Sequence, residues 1–301
     1  MKNNSKLANG IKSGEFIITA EYLPPAGVDG SEVKAVVSSF NGKLTAVNAA
    51  DNPFGVVMSS LAAALKMADA GIEPVYQIVT RDRNRIAIQS DLLGAASLGI
   101  KNVLCLSGYH QTLTGCPESA NVYDIDSIQL IAAVKALCKD SVLLDGKKVT
   151  GEFSMLAGAA ANPDVRPLEL NILRLAKKVE AGAAFIQTQA IFNTETFGEW
   201  LKAANKEGIT EKTAFLAGVM PLSSADEAIE LREKFTDFRI SDEVVERLKA
   251  AGDEKAQKKE GIKICAEIIN AVKGMKGLRG IHILSGSNEA VVPEVLSAAG
   301  L

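Results

Sequence analysis

Histidine and cysteine are scarce in this 301-residue chain, with two of the first and four of the second. Cys105, Cys116, Cys138 and Cys265 form no Cys-x-x-Cys pair. That excludes a thioredoxin-type motif, and scattered free thiols in a reducing compartment are expected. With His110 and His282 far apart, a structural zinc site is not expected either. No nucleophile, histidine and acid fall into a recognisable set, so any demanding chemistry must come from an organic cofactor. Long apolar runs are also missing: no stretch approaches the ~18 residues that a membrane span needs. The start, MKNNSKLANGIKSGE, lacks the apolar core of a signal peptide, and the chain reads as cytoplasmic. Charge of one sign is missing too. The net charge is −3, and no basic tract suggests nucleic acid as a partner. Finally, no Gly-x-Gly-x-x-Gly follows an apolar run, which weighs against a dinucleotide-binding open sheet.

What is present is alternation. Eight short apolar runs read as strands: 16–22, 43–49, 73–79, 102–108, 149–156, 183–189, 213–220 and 279–286. Between them, apolar residues recur at helical spacing, as at Val57, Leu61 and Leu65, or Ile88, Leu92 and Ala95. Gly71, Gly99 and Gly182 stand where a helix must end before the next strand. Near-continuous apolar strands suit a parallel sheet covered on both faces. Eight such units in about 300 residues is the arithmetic of a (β/α)8 TIM barrel. We therefore expect one barrel domain over 1–301, with an extra helix inserted before the last strand, in 225–272. A doubly wound open sheet is the alternative.

In such a barrel the site is built where strands end and βα loops begin. The strand ends to read are Glu21, Asn48 to Asp51, Gln77 to Arg81, Ser107 to His110, Gly158 to Asn162, Gln187 to Gln189, Met220, and Ser285 to Asn288. A carboxylate at Glu21, beside apolar walls, has its pKa raised by desolvation and suits a general acid. The alternative is a glutamate paired to a loop cation. Gln187 and Gln189 share one strand face, and an amide there can meet the edge of a heterocycle. On the helix LELNILRLAKKVEAG, Leu168, Ile172, Leu175 and Val179 make the buried stripe. Asn171, Arg174 and Lys178 make another row, which can line a phosphate or remain a solvated face. In TRDRNR, 80–85, Asp82 reads as a helix cap and the arginines as partners of nearby acids.

Taken together, these strand-end motifs resemble the methylenetetrahydrofolate reductase family. The likeness is carried by EYLPP (21–25), GIKNVLCLSG (99–108), VYDIDSIQL (122–130), AKKVEAGAAFIQTQ (176–189), GVMPLSS (218–224) and the closing GIHILSGSNEAVVPEVLSAAGL (280–301). It runs in order over nearly the whole chain and is nearest the branch found in anaerobic acetogenic bacteria. The resemblance implies a flavin-bearing barrel that reduces 5,10-methylenetetrahydrofolate to 5-methyltetrahydrofolate. It implies FAD, with FMN the alternative. The electron donor is NAD(P)H or another carrier, which in the acetogen branch acts through a partner subunit; a homo-oligomer is the other arrangement.

By position, the resemblance makes Glu21 the acid that assists opening of the folate ring, and Gln189 a folate contact. Asn48, Gln77, Ser107, Gly108, Tyr123 and Asp124 fall at flavin-contacting positions. Asn162, Asn171, Arg174, Lys177 and Lys178 fall where the flavin's phosphate and nucleotide end is held. Departures stand beside the matches. Tyr109 replaces the usual aspartate at a folate-binding position, and Gln77 replaces a common histidine. Asn288 replaces an arginine. Ala49, Gly158 and Ala225 stand where other members carry aromatics, so the aromatic wall is expected to be thin. These departures keep a second reading open, a folate- or flavin-binding paralogue that serves as a scaffold or carrier subunit.

Overall fold

The computed structural model describes residues 3–40, 42–235, 238–286 and 288–301. Ser287, one of the strand-end positions above, lies outside the described residues. Helix α1 (Lys6–Ser13) comes first and was not anticipated from sequence. Then follow β1 (Ile17–Tyr22), α2 (Ser31–Ser39), β2 (Ala46–Ala49), α3 (Ser60–Asp69), β3 (Pro74–Val79), α4 (Arg85–Ser97) and β4 (Asn102–Leu106). The second half holds α5 (Ser127–Asp140), β5 (Leu156–Ala161), α6 (Leu168–Ala181), β6 (Phe185–Ala190), α7 (Thr194–Lys206) and β7 (Ala214–Val219). Three helices, α8 (Ala225–Lys234), α9 (Asp242–Ala250) and α10 (Glu254–Val272), precede β8 (Leu278–Ile283), and α11 (Val292–Ala298) closes the chain. The strands pair in order, all parallel, and β8 returns to β1 to close the barrel. This is a (β/α)8 TIM barrel, with the insertion before the last strand made of more than one helix. No helix of the described residues is long and apolar enough to cross a membrane.

Local chemistry sets the helix ends. Gly71 and Gly99 take φ of 84° and 81°, the left-handed turn that ends α3 and α4 at little cost only for glycine. An Asp126–Gln129 capping box starts α5. The cap of α4 corrects the sequence reading: Asn84, not Asp82, accepts the Ile86 and Ala87 amides. Asp82 is held instead by Arg81, at 2.7 Å. The arginines of this loop do pair with acids, Arg83 with Asp51 and Asp91, and Arg85 with Asp124.

Alternation along each strand fills the barrel in layers. Leu7 of α1, Ile17, Val75, Leu104 and Phe185 make an apolar floor. Two residues further along, the interior turns polar. Gln187 donates to Thr19 at 3.2 Å and to Asn48 at 3.1 Å, and lies 3.2 Å from His282 Nδ1. Asn48 donates back to Gln187 Oε1 at 2.8 Å. These groups are buried and satisfy one another, which is what a buried polar layer requires. Burial pushes the His282 imidazole down to about 3, so it stays neutral. A further step up β1 and β6 stand Glu21 and Gln189, and Gln77 of β3 reaches up to the Glu21 carboxyl group.

Strand β5 is the main correction. Of the apolar run expected at 149–156, residues 149–155 are a connection that buries Phe153 and Met155. The strand is the next segment, LAGAAA. Small residues are needed there because Phe185 of β6 crosses the interior. A Cβ on Gly158 would stand 2.1 Å from the Phe185 ring.

Candidate functional site

The strand ends and βα loops surround a cleft of about 560 Å³. Glu21, Gln77, Ser107, Gly108, Tyr109 and Gln189 all line it. Strand β1 delivers Glu21 because Ile17, Thr19 and Glu21 share the inward face. Gln77 Nε2 donates to Glu21 Oε2 at 2.7 Å. The Glu21 carboxyl is pushed above the usual carboxylate range. Burial is the main cause, the Gln77 bond opposes it, and the charge of Glu289 adds to it. Glutamine at 77 cannot become a cation, so it orients the carboxyl group without the pull toward ionisation that an imidazolium would exert. A carboxyl group shifted in this direction is suited to offer a proton to the cleft.

Across the mouth, Gln189 Nε2 donates to Tyr109 Oη at 3.3 Å. The Tyr109 ring packs on Phe235 with centroids 5.0 Å apart, and Phe235 meets Phe54 at 5.4 Å and Phe238 at 6.0 Å. All four rings line the cleft. The expected thin wall is thus corrected. Ala49 and Ala225 are buried and Gly158 lies under Phe185, but rings from the β2–α3 loop and the end of α8 supply an aromatic wall. With Gln189 Nε2 bonded to the phenol, Gln189 Oε1 can serve as an acceptor for a planar polar ligand.

One end of the cleft is cationic. Lys178 and Arg174 line both the cleft and an adjoining recess of about 240 Å³. The α6 row read from spacing is brought together there, since Asn162 and Asn171 line the same recess. Lys178 Nζ donates to the Ala160 carbonyl at 2.6 Å. Burial brings its ammonium down to about 8, helped by repulsion from Arg174 and opposed by Asp126. Asn171 spends its amide N–H groups on the Asn162 and Val165 carbonyls, which shapes the loop wall. Lys177 is exposed and lines neither space.

Three other expected positions lie off the cleft. Asn48 is buried one layer below, bonded to Gln187. Tyr123 bonds the Gly108 carbonyl through its hydroxyl at 3.2 Å, on the loop's outer side. Asp124 is held by Arg85, whose hydrogen bonds bring its carboxyl down to about 2. His110 bonds Thr112 and Asn121 of its own loop. Ser107 accepts the Ser127 amide at 3.3 Å, and a Cβ on Gly108, which takes φ 84°, would stand 3.1 Å from Arg81 Cβ and 3.4 Å from Val79 Cβ.

Sequence reasoning gave no role to several groups at the site. Asp51 is buried at the wall, where it accepts the Val79 amide and both terminal nitrogens of Arg83. Glu227, Glu230, Leu231 and Lys234 line the cleft from α8. Their spacing is the one signal that could have marked them as a single helix face. Glu289 accepts the Leu23 amide two residues from Glu21; it falls within the closing motif, which gave it no role.

Comparisons with known proteins fit this geometry. The profile of the family described as Methylenetetrahydrofolate reductase matches residues 6–300. The Caenorhabditis elegans "Probable methylenetetrahydrofolate reductase (NADPH)" is 22% identical over 250 residues, 81% of this chain and 35% of that protein. The Schizosaccharomyces pombe "Methylenetetrahydrofolate reductase 1" is 22% identical over 234 residues, 77% of this chain and 36% of that protein. The chain thus spans about a third of the length of these curated relatives. Among solved structures, an uncharacterized Clostridium thermocellum protein that binds two copies of 5-methyl-5,6,7,8-tetrahydrofolic acid superposes with a TM-score of 0.67 at 14% identity, covering 98% of both chains. A phosphonopyruvate hydrolase complexed with oxalate and Mg++ reaches 0.55 at 11% identity, covering 99% of this chain and 85% of that one. At such identities, structural likeness speaks for the fold alone.

Proposed function

Because the chain belongs to the methylenetetrahydrofolate reductase family, we propose that it reduces 5,10-methylenetetrahydrofolate to 5-methyltetrahydrofolate with a bound flavin. The observation that carries this reading is Glu21: a carboxyl group that burial pushes above the usual carboxylate range, oriented by Gln77 and open to a cleft of ligand size. The solved neighbour that binds 5-methyltetrahydrofolate supports folate as the ligand class.

The residues present suit a flavin nucleotide. The cleft and its recess lie in the size range of cofactor sites. The Lys178 ammonium has three donors, one of them used by Ala160, so others remain for a phosphate oxygen. Arg174 stands beside it. Ser107 and Gly108 would border the ring system. The bound flavin, FAD in our reading and FMN otherwise, would supply the hydride. The chain's own groups do the rest. Glu21 holds the proton needed at the folate nitrogen where the ring opens. Gln189 and Tyr109 hold the edge of the pterin, and the aromatic wall excludes water from it. Electrons arrive from a reduced nicotinamide or from a partner subunit, as in the acetogen-type branch.

The test is spectroscopic and kinetic. The purified protein should show flavin absorption near ~450 nm. Glu21→Gln should keep the flavin and its reduction by the donor while slowing methylene-folate reduction by ~10²–10⁴-fold. A colourless protein that still binds methyltetrahydrofolate would favour the carrier or scaffold reading, which the neutral Tyr109 in place of an aspartate motivates.

A further inference from the structure

One buried arginine joins three of the βα loops that make the cleft. Arg81, just past β3, borders the cleft yet is only 2% exposed. Its Nε and Nη2 donate to the two oxygens of Asp82 at 2.7 and 2.8 Å. Nη2 also donates to the Asn52 carbonyl in the β2–α3 loop at 2.8 Å. Nη1 donates to the Tyr109 carbonyl in the β4–α5 loop at 3.2 Å. Asp82 in turn accepts Gln111 Nε2 at 2.8 Å, so the ion pair holds this last loop at Tyr109 and again at Gln111. The backbone of Arg81 takes part as well: its amide donates to the Ser107 carbonyl at 3.0 Å, and its carbonyl accepts the Val122 amide at 2.8 Å.

An ion pair with Asp82 uses only two of the five guanidinium donors. Arg81 spends others on the main chain of two different loops, and each of those loops carries a ring of the aromatic wall. Tyr109 is itself the anchored residue. Phe54 follows the anchored Asn52 by two residues, and its carbonyl accepts the Gly115 amide of the β4–α5 loop at 2.8 Å. Both rings pack on Phe235, with centroids at 5.0 Å for Tyr109 and 5.4 Å for Phe54.

The anchored stretch of the β2–α3 loop does not rest in a relaxed conformation. Asn52 takes φ 47°, a left-handed backbone that surrounding bonds must maintain in a residue other than glycine. Its own Oδ1 accepts the Val57 amide at 3.0 Å, and Arg81 holds its carbonyl. A planar fork can reach one carboxylate and two carbonyls at once. An ammonium is a point charge on a flexible stem and cannot.

We infer that Arg81 is the positioning residue for Tyr109: its guanidinium fixes the Tyr109 loop against the Phe54 loop, so that the phenol stands beside Gln189 where the edge of the folate ring is held. The inference deepens the reading of the cleft as a folate site and rests on it. Arg81 touches no ligand in this account and acts through the placement of Tyr109. Binding groups set on loops need such support, because a small misplacement forfeits the hydrogen bonds they offer.

The test reads Tyr109 first without any ligand. Protein labelled with 3-fluorotyrosine is followed by ¹⁹F NMR, with Tyr109→Phe assigning the signal. Arg81→Lys keeps the charge and removes the fork. Its Tyr109 line should shift or split, while the lines of Tyr22 and Tyr76 in the core stay in place and circular dichroism shows an intact fold. Affinity of the flavin-loaded protein for 5-methyltetrahydrofolate should then fall about tenfold. KM for methylene-folate should rise to match, with flavin reduction by the donor unchanged. In a Tyr109→Ala background the Arg81→Lys loss should be much smaller, because no side chain remains to be placed. Asp82→Asn keeps the arginine but loosens its fork; it should give a smaller change of the same kind, and it carries the test if Arg81→Lys does not fold. An unmoved Tyr109 line in a folded variant, or strictly additive losses of folate affinity, overturns the inference. A moved Tyr109 line in a protein that binds no methyltetrahydrofolate, wild type included, would leave the clamp standing and overturn the reductase reading instead.

Discussion

Replacing Lys178 with methionine separates what this residue does for a ligand from what it costs the fold. Its ammonium falls from the ordinary 10.5 to about 8, chiefly through burial and then through repulsion by Arg174. At ~1.4 kcal/mol per tenfold, that makes the charged form roughly 3 kcal/mol less favourable in the folded chain than in the unfolded one. The folded state binds this proton more weakly, so the unfolded state holds more protons between pH 8 and 10.5. Stability of the ligand-free protein therefore rises through that window. Below pH 8 both states are protonated and the penalty is fully present. Methionine removes the penalty and keeps the apolar stem. It also removes the bond to the Ala160 carbonyl, worth ~1.5–3 kcal/mol for a charged donor. The two effects nearly cancel. Ligand-free Lys178→Met should lie within ~1.5 kcal/mol of wild type at pH 7 by urea unfolding, and should lose the alkaline rise. A bound phosphate reverses the sign, because it stabilises the ammonium. At pH 8 about half a proton should be taken up when FAD binds, and at pH 7 about one-tenth. Titration calorimetry in buffers of different ionisation enthalpy measures this uptake. In Lys178→Met the uptake should vanish and FAD affinity should fall, while riboflavin binding stays unchanged. Equal proton uptake in both proteins, or equal weakening for FAD and riboflavin, would refute the reasoning.

Other outcomes follow from the same geometry. Tyr109→Asp should tighten methyltetrahydrofolate binding by restoring a carboxylate acceptor, and lower the bound flavin's reduction potential. It should also cost ~0.5–1.5 kcal/mol of stability through the lost contact with Phe235. Tyr109→Phe keeps that contact and should weaken the folate no more than about tenfold. Unchanged folate affinity in both variants would mean that this loop does not meet the ligand. Gly158→Ala sets a methyl group against the Phe185 ring and should cost ~1–3 kcal/mol. Adding Phe185→Leu should recover part of the loss, and strictly additive losses in unfolding experiments would contradict the close approach. His282 remains neutral when folded but charges below 6.5 when unfolded, so it removes stability as pH falls. His282→Gln should lessen the drop between pH 7 and 4.5 by roughly 2–3 kcal/mol, and an unchanged drop would count against a buried neutral imidazole.

The sequence by itself determined the repeat and the inward faces. Periods of two and of about three and a half residues are local properties, and each fixes which side of an element meets the core. That is why Gly71 and Gly99 could be read as helix ends, and why Asn171, Arg174 and Lys178 could be seen as one row before any pocket was known. Glu21 and Gln189 were legible for the same reason, as polar residues at the ends of apolar strands.

Tertiary structure decided what alternation leaves open. Period two says that Asn48 and Gln77 point inward, but not that one is a layer deeper and spent on Gln187 while the other reaches Glu21. That depth depends on strand stagger around the closed barrel. The position of β5 was hidden because LAGAAA has little intrinsic strand preference. It is a strand because Phe185 and the neighbouring ladders leave room there only for small residues. The aromatic wall joins Phe54, Tyr109 and Phe235 from three loops far apart in sequence. The clasp of Glu289 on Leu23 joins residues 266 positions apart. Contacts of that range carry no local periodicity; they exist only once the barrel has closed and brought β8 beside β1.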